Sequence, residues 1–281
     1  MLLAIDIGNT QTVLGLFEGQ QLRHTWRLAS DTTRTSDELK AFVTQLFFEA
    51  GKKQDQPVAI SRVIVASVVP ALTRIWADLA CDLSYLTRDS KPVIVDASLA
   101  QSLCAPGASP QEVGADRIAN ALAARTLYGA PAIVVDFGTA TNIDVIDAAG
   151  LYLGGIISVG IQTGADALFR SAARLPVIDL AVPERVLGTN TKQAVQSGIL
   201  YGEAAKVDAL IAALKKENPQ LDRPNIPVIA TGGFSTSIVP LITAVTAIDE
   251  HLTLKGLQIL ADQADAAATQ AAVYVDGGVR P

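Results

Sequence analysis

Residues 2–17 read LLAIDIGNTQTVLGLF, and residues 132–147 read AIVVDFGTATNIDVID. Each stretch opens with an apolar run of strand length and closes that run on an aspartate. Each then turns at Asp-x-Gly and resumes an alternating apolar pattern. Alternation with period two on both sides of a turn predicts a hairpin. Asp6 aligns with Asp136, Gly8 with Gly138 and Asn9 with Thr139. Two hairpins of one design, separated by nearly half the chain, predict a duplicated architecture with one ligand between the halves.

The turn chemistry points to phosphate. Glycine lets the backbone approach an anion and aim its N–H groups at it, because no Cβ stands in the way. Asn9, Thr10 and Thr12 in the first hairpin, with Thr139 and Thr141 in the second, are uncharged donors suited to phosphate oxygens. Asp6 and Asp136 would repel phosphate unless a cation, or water around one, lies between. The alternative is a pair of ordinary hairpins whose Asp and Thr side chains make local turn bonds. Repetition of the motif in the same strand context favours the phosphate reading.

Composition narrows the class. The 281 residues, 49% of them hydrophobic, are enough for one large or two medium domains. The formal net charge is −6, and the 22 basic residues are scattered without a run, which argues against nucleic acid or an anionic membrane as the main partner. Phosphate binding must then rest on backbone amides, hydroxyls and a metal. Cys81 and Cys104 stand in unrelated contexts, with no zinc or disulfide spacing. With no signal peptide ahead of the strand at Leu2 and no apolar run of membrane-spanning length, a soluble cytoplasmic protein is expected.

Along the chain, residues 20–28 predict a third strand with Leu22, His24, Trp26 and Leu28 on one face, His24 being a half-buried strand residue. Ser36 is the expected cap of a helix to about residue 50, followed by a polar turn over 51–57. Residues 62–69 predict a buried strand, Pro70 the first turn of a helix through Cys81, and residues 91–95 a short strand. Residues 97–113, with glycine and two prolines, read as a connecting loop. Gly114, Ala115, Asp116 and Arg117 then open a helix. An aspartate there gains from the helix dipole and is also a common cap. Asp116 and Arg117 are neighbours that do not face each other on a helix, so they would reach different parts of one site.

After the second hairpin come a strand at 151–159, a helix near 161–173, an extended segment at 175–184, and a long helix that starts at Asn190 or Thr191. A strand at 228–231 ends in Gly232 and Gly233. That pair either lets the backbone approach a flat ligand such as a purine or makes a plain turn. A helix from Leu252 closes the fold, and the last residues, VYVDGGVRP, read as a loose tail. Hairpin strands followed by alternating helices and strands make an α/β pattern with a partly antiparallel sheet.

The ordered motifs D-x-G-N-T, G-A-D-R, D-F-G-T-A-T, Y-L-G-G, N-T-x-x-A-x-x-S-G, A-T-G-G and L-T-L-x-G-L together closely resemble those of type III pantothenate kinase, from Leu2 to about Leu260. The resemblance implies the actin-like ATPase fold of the acetate and sugar kinase, heat-shock chaperone and actin superfamily. That fold has two ribonuclease-H-like domains, each a mixed sheet flanked by helices, with ATP in the cleft. The expected division is 1–113, holding the first phosphate loop, and 114–281, holding the substrate segment, the second phosphate loop and the Gly232–Gly233 pair on the adenine side. The expected activity is ATP-dependent phosphorylation of pantothenate to 4′-phosphopantothenate, which opens coenzyme A synthesis, in a homodimer with the substrate site near the subunit interface.

By position, the resemblance implies that Asp6, Ile7, Gly8, Asn9, Thr10, Gln11, Thr12 and Val13 form the first phosphate loop. Asp6 would hold the magnesium of ATP, partly through water, and Thr139 would contact ATP from the second loop. Asp136 would be the ligand of a monovalent cation, potassium or ammonium. Gly114, Ala115, Asp116 and Arg117 would bind the substrate, with Asp116 as general base on the primary hydroxyl and Arg117 toward the pantothenate carboxylate. Thr191 would be a further substrate contact. Phosphoryl transfer asks mainly for positioning and charge neutralisation, and arginine suits a carboxylate anchor.

The chain departs from the family pattern in its substrate segment. Members commonly carry Y-D-N-P-x-E-V-G-A-D-R where this chain has G-A-S-P-Q-E-V-G-A-D-R, so Gly107 stands in place of a tyrosine and Ser109 in place of an asparagine. Val159 replaces a proline often found before Gly160. Loss of an aromatic wall reshapes the packing around the substrate. Two alternatives therefore stand beside the pantothenate reading: a kinase of the same fold acting on another small alcohol, and a nucleotide-binding regulator with little turnover.

Overall fold

The computed structural model describes residues 1–54, 58–84, 92–172 and 175–276. The first hairpin is β1 (Leu2–Ile7) and β2 (Gln11–Glu18), extended by β3 (Gln21–Ala29). Then follow α1 (Ser36–Gln54), β4 (Arg62–Ser67), α2 (Pro70–Ser84), β5 (Val93–Ile94), α3 (Ala97–Gln101) and α4 (Ala115–Leu127). The pattern repeats as β6 (Ala132–Phe137), β7 (Ala140–Ile146), β8 (Tyr152–Val159), α5 (Ile161–Ser171), α6 (Thr191–Glu217), β9 (Val228–Thr231), α7 (Ser235–Ile238) and β10 (Ala247–Ile248), and α8 (Leu252–Asp276) follows.

The duplication read from the two hairpins is present in the sheets. One sheet has the order β3-β2-β1-β4-β5 and the other β10-β9-β6-β7-β8. In each, the hairpin strand that carries the aspartate runs antiparallel to its hairpin partner and parallel to the strand on its other side. This is a ribonuclease-H-like mixed sheet, made twice. Each has its own core. In the first, Leu3, Ile5 and Ile7 of β1 pack with Leu39, Val43, Leu72 and Trp76 from α1 and α2. In the second, Ile133, Val135 and Phe137 of β6 pack with Leu200, Ala204 and Val207 of α6. The aspartate in each case follows an unbroken run of buried strand residues.

By compactness the chain forms two units that do not follow the division at residues 113 and 114. One unit comprises Met1–Ser102, Ser109–Leu122 and the chain from Thr253; the other comprises Leu103–Ala108 and Ala123–Leu252. The start of α4 and the final helix pack with the first hairpin, because α8 supplies apolar residues such as Leu254 to that sheet.

Several local expectations are corrected. Thr35, not Ser36, caps α1: its hydroxyl accepts from the Glu38 N–H at 3.3 Å while the Glu38 carboxylate accepts from the Thr35 N–H at 2.8 Å, a reciprocal capping box. That helix runs on through Gln54, into the span expected to turn, and the rest of that span lies outside the described residues. The segment from 97 is not all loop, since Asp96 accepts from the N–H groups of Ser98 and Leu99 and nucleates α3. The final helix extends to Asp276, and the remainder of the expected tail lies outside the described residues. His24 is a half-buried strand residue as expected, stacked on Trp26 at 5.5 Å between ring centroids.

Candidate active site

In the first unit, β1 delivers Asp6 to the end of a buried strand, where it lies opposite Val13 of β2 and Ala66 of β4. The turn closes with the Gly8 N–H donating to the Gln11 carbonyl at 3.0 Å. Asn9, Thr10 and Gln11 are exposed at the tip. Ile7 is fully buried and Val13 half-buried, and both are paired within the sheet. Thr12 is turned inward: it is 1% exposed, and its hydroxyl shares a 2.9 Å hydrogen bond with Ser30.

The Gly114–Arg117 segment opens α4 in the same unit. A methyl group on Gly114 would stand 2.4 Å from Asp116 Oδ1 and 3.3 Å from Val68 Cγ1. Glycine is required there so that the Asp116 carboxylate can fold back over the helix start, where it accepts from the Arg117 N–H at 2.8 Å. Desolvation pushes the Asp116 carboxyl above its ordinary range, against the opposing pull of that N–H and of the Arg117 guanidinium. Arg117 itself is buried, at 9% exposure.

Val68 joins these two pieces, and sequence reading missed it. Its N–H donates to the Ile7 carbonyl at 3.0 Å, while its side chain lies against Gly114. The run RVIVASVV gave only a strand signal. The sequence clue was Pro70, because the strand has to stop just ahead of a helix that begins on proline. A cavity of about 390 Å3 opens here, with apolar walls from Val68, Val95 and Ile118 and polar groups from Ser67, Asp96 and Glu112. It also touches Gly114 and Ala115.

In the second unit, Asp136 stands one residue before the end of β6, opposite Asn142 of β7 and Thr231 of β9. Residues directly opposite in a sheet share a face, so a carboxylate, an amide and a hydroxyl stand side by side. Asn142 Oδ1 is buried with no hydrogen-bond partner among the described residues. A buried acceptor oxygen beside a carboxylate is the donor set a hard cation takes. Thr141, on the other face, is 1% exposed.

Gly232 has φ +88, and a methyl group on it would stand 2.5 Å from Asp136 Oδ1 and 2.6 Å from the Phe137 carbonyl carbon. The first glycine of the pair thus gives the carboxylate room. Gly233 has open space where a Cβ would be. Thr139 lies in the second turn, its carbonyl accepting from the Thr163 hydroxyl of α5 at 2.8 Å. The turn packs so closely on Gly160 that a methyl group there would stand 2.4 Å from that same carbonyl oxygen.

Thr191 is exposed at the first position of α6, capped by Asn190, whose side chain accepts from the Gln193 N–H at 2.9 Å. Gly107 is exposed, with φ +100. The site residues thus divide: Asp6 to Val13 and Gly114 to Arg117 belong to the first unit, and Gly107, Asp136, Thr139, Thr191, Gly232 and Gly233 to the second.

The sequence model of the family described as type III pantothenate kinase matches residues 2–213. The chain belongs to the type III pantothenate kinases. The matched span of the family holds both hairpins, the Gly114–Arg117 segment and Thr191. A type III pantothenate kinase of Anaeromyxobacter dehalogenans (strain 2CP-C) is 44% identical over 260 residues, covering 92% of this chain and 98% of the relative. One from Moorella thermoacetica is 41% identical over 262 residues, covering 92% and 98%. Among solved structures, a Baf family structure from Campylobacter jejuni superposes with a TM-score of 0.57 at 18% identity, covering 94% of this chain and 99% of that one. The activator of the 2-hydroxyisocaproyl-CoA dehydratase from Clostridium difficile, with bound ADPNP, gives 0.52 at 12% identity, covering 100% and 99%. At such identities these two structures bear on the fold alone, and they agree with the duplicated ribonuclease-H-like, actin-like architecture.

Proposed function

We infer that this protein transfers the γ-phosphoryl group of ATP to the primary hydroxyl of pantothenate, yielding 4′-phosphopantothenate and ADP in the first step of coenzyme A biosynthesis. Membership of the type III pantothenate kinases carries the reading. In the chemistry we propose, the acceptor oxygen attacks the γ-phosphorus as the bond to the β-phosphate oxygen breaks. Asp116 takes the hydroxyl proton late in that transfer, and its desolvated carboxyl has the raised proton affinity the role calls for. Arg117 anchors the pantothenate carboxylate, as its planar fork of donors suits. Gly114 and Ala115 give the substrate a path to the helix start, and Thr191 and the Gly107 turn add substrate contacts.

We assign the exposed tip Asn9–Gln11, with the rest of Asp6–Val13, and Thr139 to ATP, and Gly232 and Gly233 to its adenine side. Asp6 would hold magnesium and Asp136, helped by Asn142, potassium or ammonium. Bound there, the cations would neutralise phosphate charge that the chain has no basic cluster to meet. The same reading makes the protein a cytoplasmic homodimer. The exposed apolar row Leu153, Ile157 and Val159 on β8, an edge strand of its sheet, supports a second copy as its cover.

The test is a purified-enzyme assay with magnesium, potassium and ATP. Pantothenate-dependent ADP release that is lost in Asp116→Asn supports the reading. Activity on a different alcohol instead, or ATP binding without transfer, overturns it.

A further inference from the structure

The helix α8 supplies none of the residues assigned above, yet one of its turns touches two elements that do. Gly256 crosses α4 so closely that a methyl group there would stand 2.0 Å from the Ala119 carbonyl oxygen and 2.9 Å from the Ala119 Cα. On the same face of α8, Thr253 Oγ1 lies 2.8 Å from Asn120 Oδ1, to which it donates. Asn120 is fully buried, at 0% exposure. Between these two contacts, Leu254 seats on β2, where a methyl group on Gly15 would stand 2.9 Å from Leu254 Cδ1.

Ala119 and Asn120 lie one helical turn after Asp116. Gly15 lies on the strand that continues the Asp6–Val13 hairpin. One turn of α8 is therefore wedged between the helix that carries the proposed base and the strand that carries the proposed phosphate loop, all within one compact unit. We propose that Thr253, Gly256 and Asn120 are positioning residues, and that this joint sets the place of Asp116 relative to the first phosphate hairpin. The proposal rests on Asp116 as general base.

The physical ground is the tolerance of the reaction. Phosphoryl transfer depends on placement, and a displacement on the order of 1 Å costs up to ~10²-fold in rate. Carbon-to-carbonyl-oxygen contacts settle near ~3.3 Å, so alanine at 256 would drive α8 and α4 apart by on the order of 1 Å. Valine at 253 keeps the side-chain shape and removes only the hydroxyl.

The test compares Thr253→Val, Thr253→Ser and Gly256→Ala with the parent protein and Asp116→Asn, well below the melting temperature. Thr253→Val should lower kcat by ~10-fold and Gly256→Ala by up to ~10²-fold, with the KM for ATP nearly unchanged. Thr253→Ser, which keeps the hydroxyl, should restore most of the rate. The acid limb of the kcat profile should move to lower pH in Thr253→Val, because a shifted α4 gives Asp116 back some of its water. A lowered melting temperature with parental kcat and an unmoved acid limb would make the joint merely structural and overturn the proposal. Should Gly256→Ala not fold, the two Thr253 variants decide alone. A parent protein with no pantothenate-dependent ADP release would remove the general-base reading, and this proposal would fall with it. An active parent whose activity is lost in Asp116→Asn but kept in the α8 variants would overturn the joint alone.

Discussion

The backbone N–H of Val68 donates to the carbonyl of Ile7 at 3.0 Å, and the side chain of the same residue lies against Gly114. A single residue thus joins the first hairpin to the start of the proposed substrate segment, and it does so at the wall of a cavity of about 390 Å3. Val68→Ala keeps the main-chain bond and removes two methyl groups from that wall. If the branched hydrocarbon of pantothenate packs there, the loss is about 1.5 kcal/mol. The KM for pantothenate should rise ~10-fold while that for ATP stays put. Steady-state kinetics with each substrate varied in turn checks this, and an unchanged pantothenate KM counts against the placement.

Asp116 is held where the fold prefers it protonated, since desolvation raises its pKa. The folded value lies above the unfolded one. The group's contribution to stability is therefore fully present below the unfolded pKa and is lost as pH rises through the folded pKa. At neutral pH the ionised carboxylate is a cost, which a neutral amide at the same position would not carry. Asp116→Asn should therefore melt at or above the parent at neutral pH, with the difference shrinking as pH falls into the ordinary aspartate range. Turnover should drop ~10²–10⁴-fold. Calorimetry across pH, beside the assay, measures both. A variant that melts well below the parent at neutral pH would contradict the burial argument.

The side-by-side oxygens of Asp136 and Asn142 give a second prediction that does not depend on turnover. A cation that binds the folded chain raises its melting temperature by mass action. Potassium should stabilise the parent relative to tetramethylammonium at equal ionic strength. Asp136→Asn should abolish the difference and Asn142→Ala reduce it, since Asn142 Oδ1 is buried with no hydrogen-bond partner among the described residues. Equal potassium stabilisation in all three proteins would place the cation elsewhere.

Much of this was legible because the signals were local and repeated. Apolar runs ending on Asp6 and Asp136 set both hairpins, and their repetition predicted two sheets of one design, which the strand orders bear out. Asn190 or Thr191 announced the start of α6, and Asn190 is its cap. What stayed hidden depends on chain segments that meet only after folding. Val68 matters through Ile7 and Gly114, and Gly256 through Ala119. Gly232 has a left-handed φ, and its lack of a Cβ is what clears Asp136, a carboxylate on a different strand. Thr12 shares the inward face of Leu14 and Leu16 by the period of two, but its partner Ser30 is set by the register between strands, which sequence spacing does not report. Short elements such as α3 and β10 carry too few residues for periodicity to declare them.

The departure from the family pattern at Gly107 has a backbone cause. Ala108 donates its N–H to the Ala105 carbonyl at 3.1 Å, closing a turn with Pro106 and Gly107 at its centre. Gly107 has φ +100, as the glycine of a proline–glycine turn requires. Space is not the constraint, since nothing lies within 4 Å of where its Cβ would be. A side chain there is strained by the backbone alone, at about 1–3 kcal/mol. Gly107→Tyr, which restores the residue type of other family members, should therefore lower the melting temperature and leave the KM for pantothenate unimproved, because the turn aims the new ring by a backbone not built for it. Gly107→Ala should show a comparable loss of stability with no ring at all. Thermal melts and pantothenate titrations of the two variants separate strain from contact. A tyrosine variant that melts like the parent and binds pantothenate more tightly would show that the turn yields and that the missing ring, not the backbone, limits the site.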